Sequence, residues 1–232
     1  NLGEAELVTA SPAVGADNPE LIAAAENGLE CWSRAEVMAA ICAMRRTVAV
    51  AGTHGKTTTS SMLALVLETA GLEPSFLLGA DVAGWGTNAR WGSGSVLVVE
   101  ADESDGSFLR LTPTIAVVTN IDREHLDHYA DIDAIRNAFV QFVSKVPFYG
   151  AAILCLDDAN VQQILPRINR RVITYGTTAQ ADLRVVSVRS ELGGSVFGLE
   201  RRGVSLGCFR VRVPGAHNVL NATAAIAVGT EL

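Results

Sequence analysis

The sequence predicts an α/β protein built on a doubly wound, mostly parallel sheet that carries a small antiparallel β meander. From Thr47 onward, short apolar runs alternate with helical patterns, which is typical of parallel strands covered by helices on both faces. A glycine-rich loop directly follows the first apolar run. From Arg171 the pattern changes to short strands with period-two alternation and glycine turns, which predicts the meander.

The elements before Thr47 are predicted to be edge parts of another α/β unit, which adds a partial Rossmann-like segment to the fold. A helical pattern covers 19–28, and Ser33 with Glu36 forms a capping box that starts a second helix. Parallel strands are then predicted at 48–51, 96–100, 115–119 and 152–156, with helices at 57–69 and 132–144. The meander strands are expected at 171–175, 183–189, 196–201 and 208–213, and a final helix at 217–232.

Composition excludes several classes of protein. With 232 residues, 49% hydrophobic and 19% charged, the chain can bury a substantial core, which argues against intrinsic disorder. A net charge of -7 argues against nucleic-acid partners, and the apolar stretches are too short for a membrane partner. The four cysteines are widely spaced, which favours neither a zinc site nor disulfides and fits a cytoplasmic location.

The strongest local signal is the phosphate-binding loop, GTHGKTTT at 52–59. A strand, a glycine loop, Lys-Thr and a helix in this order place backbone N–H groups around phosphates, with Lys56 on the β and γ oxygens and Thr57 on magnesium. The match to the usual pattern is imperfect, because Gly52 lies only three residues before Gly55. An ordinary capped helix start is the alternative interpretation.

Acidic and polar side chains follow the next two predicted strands. Because ligands of open α/β sheets lie beyond the carboxyl ends of strands, Glu100 is the best candidate for a magnesium ligand. Asp102, Glu103 and Asp105 could act there too, or could form a solvated turn that caps a helix. His125 is a candidate metal ligand or phosphate contact, although a histidine in a polar loop is more often a surface residue.

A last candidate segment lies near the end of the chain. Asn218 and Asn221 stand one helical turn apart, after Gly215, where backbone could approach a ligand closely. Asparagine at a helix start is more often a cap. The residues alone leave both interpretations open.

Together with these segments, EADESD at 100–105, TNIDREHLDHY at 119–129, PFYG at 147–150 and HNVLNA at 217–222 closely resemble the ATP-dependent Mur ligase family over nearly the whole chain. That family joins an amino acid to a UDP-sugar precursor of bacterial peptidoglycan, which serves cell-wall biogenesis, cell shape and division. EADESDGSF and PFYG are most similar to the members that add L-alanine to UDP-N-acetylmuramate. Sister ligases with other amino acid substrates remain an alternative.

The resemblance implies roles for particular residues. Gly52, Thr53, His54, Gly55, Lys56, Thr57 and Thr58 would bind the ATP phosphates. Thr57 and Glu100 would hold Mg²⁺, His125 would help to hold a second metal, and Lys56, Glu100 and His125 would be catalytic. His217, Asn218 and Asn221 would contact the adenine and ribose. The reaction implied is phosphorylation of the muramic acid carboxylate, followed by attack of the alanine amine on the acyl phosphate.

The resemblance also implies a domain division. Residues 1–46 would be the C-terminal part of an N-terminal UDP-sugar-binding domain and 47–232 a central ATP-binding domain, with a C-terminal domain absent. Several family members carry a carbamylated lysine where Val140 stands here, so carbamylation is not expected. Such a part is expected to bind nucleotide weakly and to ligate nothing alone. A plain P-loop ATPase or a regulatory nucleotide-binding module is the rival outside the ligases.

Overall fold

The computed structural model describes residues 2–11, 13–82, 84–125 and 127–232. The strands are β1 (Leu7–Ala10), β2 (Glu30–Ser33), β3 (Arg46–Ala51), β4 (Ser75–Leu77), β5 (Ala89–Arg90), β6 (Val96–Glu100), β7 (Ile115–Val118), β8 (Ala151–Cys155), β9 (Val172–Gly176), β10 (Leu183–Glu191), β11 (Gly194–Arg201) and β12 (Val204–Val211). The helices are α1 (Pro19–Glu26), α2 (Arg34–Ala43), α3 (Lys56–Thr69), α4 (Ile132–Ser144), α5 (Ala159–Ile164) and α6 (Ala216–Gly229).

A ten-stranded sheet organises most of the chain, in the order β12-β11-β10-β9-β8-β7-β3-β6-β4-β5. All pairs from β10 to β4 are parallel, while β11, β12 and β5 pair antiparallel at the two edges. The predicted fold class is therefore confirmed. β1 and β2 form a separate parallel pair, and the Ser33–Glu36 capping box starts α2 as predicted.

One strand assignment was wrong. The strand predicted at 171–175 is β9, which runs parallel to both of its neighbours and so does not belong to the meander. The carboxylate of Asp182 explains the return of the chain, because it accepts hydrogen bonds from the Thr174 main chain and hydroxyl, both at 3.0 Å. This clamp brings Leu183 back beside Tyr175 after a short link. Period-two alternation does not distinguish the two strand directions.

The core lies on both faces of the sheet. Along β3, Val48 and Val50 face one apolar cluster with α3 and α6, while Ala49 and Ala51 face a second with α4. Burial on both faces explains the near-continuous apolar runs of the central strands. No helix in the described part of the chain combines the length and the apolar character that a bilayer crossing requires.

The sheet order places the candidate site. β3 lies between β6 and β7, so the loops that follow these three strands emerge side by side at one edge of the sheet. Those loops are the glycine loop, the acidic segment after Glu100 and the segment after Val118. The N-terminal end of α6 reaches the same edge, since α6 packs along α3.

Candidate functional site

The glycine loop connects the end of β3 to the first turn of α3. Gly52 and Gly55 have φ angles of +130° and +83°, which L side chains rarely adopt. A Cβ on Gly55 would lie 2.6 Å from Asn221 Oδ1, and one on Gly52 would overlap the Thr119 hydroxyl. Both positions therefore require glycine. α3 then begins at Lys56 with no side-chain cap, which leaves its first N–H groups available to an anion.

The segment after β7 braces this loop. The Asn120 side chain accepts a hydrogen bond from His54 N and donates one to His54 O, both at 2.8 Å. The Thr119 hydroxyl also donates to His54 O, at 2.6 Å, and Thr53 Oγ1 accepts from Asp122 N at 2.8 Å. His54 itself is exposed. Four side-chain hydrogen bonds thus fix the conformation of the loop. The sequence alone did not predict this role for Asn120.

The Lys56 ammonium lies across the loop that carries it. It donates to Gly52 O at 2.8 Å and to both oxygens of Glu103, at 3.0 and 3.2 Å. Glu103 is only 1% exposed, so the solvated turn considered for this residue is wrong. Burial raises the pKa of the Glu103 carboxyl, an effect that the Lys56 ammonium opposes. Asp102 and Asp105 do form local turns, accepting from Ser104 N and Ser107 N.

Thr57, the residue after Lys56, forms a hydrogen-bonded pair with Glu100. Thr57 Oγ1 donates to Glu100 Oε2 at 2.9 Å, and Gly79 N donates to the same oxygen at 2.8 Å. A Cβ on Gly79 would lie 2.6 Å from that oxygen, so glycine is needed for this approach. Hydroxyl and carboxylate oxygens are ligands that Mg²⁺ prefers, and their separation lets both reach one ion. The pair fits the predicted magnesium site.

His125 lies on the other side of Glu103. Its backbone has a φ of +56°, and its Nε2 is 3.7 Å from Glu103 Oε1. The hydroxyl of Tyr129 donates to the main-chain carbonyl of Glu103 at 2.6 Å, and burial raises the pKa of that phenol to about 12. Within the ranges that the structure describes, no group of three or more His, Cys, Asp or Glu residues is close enough to hold a metal. The three predicted metal ligands therefore lie in two places: Thr57 is paired with Glu100, whereas His125 lies beside Glu103, which was not one of the predicted ligands.

Asn221 of α6 lies against the glycine loop, and Asn218 lies one helical turn before it. Both are 6% exposed; Asn218 donates to Pro214 O at 2.7 Å, and Asn221 donates to Asn218 Oδ1 at 3.2 Å. Gly215 is the helix cap and no side chain caps α6, so neither asparagine is a simple cap. Asn221 contacts the loop at Gly55, whereas His217 is exposed. The roles predicted for these three residues toward a nucleotide stay predictions.

A cavity of about 350 Å³ is lined in part by Glu100. It lies between the first turn of α2 and the acidic segment, and both Arg34 and Arg110 line it together with Glu100, Asp102 and Asp105. Arginine is well suited to bind carboxylates and phosphates. The cavity therefore places a mixed-charge surface directly beside the candidate magnesium ligand.

Known proteins resemble this chain over most of its length. The Mur ligase middle domain family matches residues 50–229. Curated relatives include the UDP-N-acetylmuramate–L-alanine ligases of Solibacter usitatus, 55% identical over 100% of this chain and 49% of that protein, and of Geotalea daltonii, 52% identical over 100% and 51%. The chain spans about half the length of these relatives.

Solved structures give the same result. The UDP-N-acetylmuramate:L-alanyl-gamma-D-glutamyl-meso-diaminopimelate ligase from Neisseria meningitides superposes with a TM-score of 0.84 at 28% identity, covering 97% of this chain and 74% of that one. A UDP-N-acetylmuramate-alanine ligase from Thermotoga maritima gives 0.81 at 28% identity, covering 97% and 51%.

Proposed function

Because this chain belongs to the Mur ligase family through its middle domain, we propose that it is the ATP-binding part of a UDP-N-acetylmuramate–L-alanine ligase. The proposed reaction forms an amide bond between the muramic acid carboxylate and the amine of L-alanine, at the cost of ATP, in peptidoglycan precursor synthesis. A cytoplasmic location follows from these proposed substrates. The observation that carries the proposal is the convergence of Lys56, Thr57 and Glu100 at the N-terminal end of α3.

The residues have complementary roles in this proposal. The glycine loop, braced by Asn120, holds the β- and γ-phosphates with main-chain N–H groups, and Lys56 neutralises their charge. Thr57 and Glu100 hold Mg²⁺, which supplies further neutralisation of the phosphates when bound. His125 would contact a second cation. Asn218 and Asn221 position the nucleoside through α6.

The proposed reaction has two steps, a phosphoryl transfer and an acyl transfer. An oxygen of the muramic acid carboxylate attacks the γ-phosphorus in line, and the bond to the ADP oxygen breaks. The alanine nitrogen then attacks the activated carboxyl carbon, phosphate leaves with the former carboxylate oxygen, and the amine gives up a proton. Lys56 would stabilise charge in the first step, and the position of its ammonium, 2.8 Å from Gly52 O in the glycine loop, supports this role.

The test uses the complete gene product that contains this chain. Incubation with ATP, Mg²⁺, UDP-N-acetylmuramate and L-alanine should release phosphate and yield the alanyl product, detected by mass spectrometry. Lys56→Ala should lower the rate by at least about a hundredfold, whereas Lys145→Ala, at an exposed position, should leave it unchanged. ATP turnover that is independent of the UDP-sugar would instead indicate a plain P-loop ATPase.

A second candidate is a ligase that joins a peptide to the same UDP-sugar. The observation in its favour is the TM-score of 0.84 with the Neisseria enzyme. The curated relatives at 50–55% identity favour L-alanine. An assay that contains both L-alanine and L-alanyl-γ-D-glutamyl-meso-diaminopimelate distinguishes the two candidate ligases, because the preferred amine substrate should predominate in the product.

A further inference from the structure

Glu103 is a buried acid for which the proposed reaction has no role. Its side chain is 2% exposed and that of Lys56 is 13% exposed, and the two form an ion pair at 3.0 Å. A carboxylate is rarely buried so completely unless it is paired. The main chain at Glu103 is itself anchored by the Tyr129 hydroxyl. The carboxylate is therefore held at a defined place, facing the ammonium that should meet the nucleotide phosphates.

The hydrogen-bonding capacity of Lys56 is fully used in this arrangement. An ammonium has three donors, and here they serve Gly52 O at 2.8 Å, both Glu103 oxygens and, at 3.5 Å, Thr53 O. A phosphate that enters the loop can gain Lys56 only by replacing one of these partners. Glu103 is the charged one, and its negative charge also repels an incoming phosphate.

We infer that Glu103 is a positioning residue for Lys56, which holds the ammonium in the nucleotide-free loop and competes with the nucleotide phosphates for it. This inference rests on the proposed function, because it takes the loop to be a nucleotide site. When Lys56 turns to the phosphates, Glu103 remains facing His125, whose Nε2 is 3.7 Å away. His125 is then the neighbouring side chain that can compensate the freed carboxylate, and this links the two halves of the site.

The decisive variant is Glu103→Gln, which keeps the shape of the side chain and removes its charge. Without magnesium, we expect it to bind ADP about tenfold more tightly than the wild type in calorimetric titrations, since one competitor for Lys56 has been weakened. Asp102→Asn is the matched control, because it removes the same charge from the same segment while its carboxylate contacts Ser104 N instead of Lys56. The control should change the affinity by less than about threefold.

A second measurement follows Lys56 directly in the wild-type chain. The sequence contains only two lysines, Lys56 and the exposed Lys145, so ¹³Cε-labelled lysine gives two signals that Lys145→Arg assigns. Saturation with ADP should move the Lys56 signal and leave the other in place. Glu103→Gln should move the same signal before any ADP is added. The ADP titration needs only the wild-type chain, so a Lys56 signal that stays in place would refute the inference even if the Gln variant is unstable.

The outcomes separate the two proposals. Unchanged or weaker ADP binding by Glu103→Gln, or a Lys56 signal that stays in place at ADP saturation, overturns the competition between Glu103 and phosphate. If the wild type binds no ADP at all with or without magnesium, the nucleotide site itself is refuted, and the inference falls with it. Tighter binding by Glu103→Gln, with Asp102→Asn unchanged, supports both.

Discussion

The Asn120 brace leads to a quantitative prediction for nucleotide affinity. Asn120→Ala removes the two hydrogen bonds, each 2.8 Å long, that fix the main chain of His54. A typical hydrogen bond contributes about 1 kcal/mol net, but the Thr119 hydroxyl still serves His54 O at 2.6 Å. The loop should therefore lose about 1 to 1.5 kcal/mol of preorganisation, which corresponds to roughly tenfold weaker binding of Mg·ADP.

Calorimetric titration of the variant with ADP and Mg²⁺ measures this effect. Stability in urea should fall by no more than about 1.5 kcal/mol, because the substitution removes only these two hydrogen bonds. Asn137→Ala is the control: its side chain accepts from Arg167 on the outer face of α4, away from the site, and should leave ADP binding unchanged. If Asn120→Ala binds ADP within about twofold of the wild type, the brace does not organise the phosphate loop.

Three further predictions concern the loop, the metal pair and the end of the chain. In Gly55→Ala, a side chain is forced into a φ of +83° and its Cβ would lie 2.6 Å from Asn221 Oδ1. The substitution should therefore lower the free energy of unfolding in urea by about 1–3 kcal/mol and abolish ADP binding. Wild-type stability and binding would mean that the loop adjusts freely to the added side chain. Glu100→Gln should remove most of the increase in ADP affinity that Mg²⁺ produces, while binding in EDTA persists; an intact magnesium effect in calorimetry would refute its role. Burial raises the pKa of the Glu231 carboxyl, but hydrogen bonds from Arg171 and Arg201 outweigh this effect and lower the pKa below its usual value of 4.5. The ionised carboxylate therefore stabilises the fold above pH about 4.5, and this stabilisation is lost as the pH falls through the lower pKa of the folded state. Glu231→Gln should lower the free energy of unfolding by about 1 kcal/mol at pH 7 and leave it unchanged near pH 2, and a difference that is the same at both pH values would contradict this.

The parts of the fold that follow from local patterns were predictable. The apolar runs predicted the strands β3, β6 and β7, which the structure then places side by side, and the helix predicted at 132–144 is α4 without a change of bounds. The strands β4 and β5 were missed because two or three residues are too few to show alternation, and the six-residue helix α5 is too short to show helical periodicity. β9 is parallel to β8 because α5 forms the crossover between them, a connection that the alternation within β9 does not reveal.

The same distinction applies to the candidate site. Lys56, Thr57 and Glu100 could be predicted as parts of one candidate site because each stands at a strand end or a helix start. Glu103 lies in an irregular segment without periodicity, so nothing in the sequence distinguishes this buried acid from the exposed Asp102 beside it. Asn120 follows β7 at the same edge of the sheet, but no local pattern predicts its hydrogen bonds to His54, which join positions 66 residues apart.

We infer that this chain assembles a site for nucleotide phosphates from the ends of three neighbouring strands. Calorimetric titration of the wild-type chain with ADP and Mg²⁺, beside Lys56→Ala, tests it most directly. We expect saturable binding at one site by the wild type and at least tenfold weaker binding by the variant, because a charge-assisted contact to phosphate is lost. Equal affinity of the two proteins, or no binding by a folded wild type, would contradict the claim.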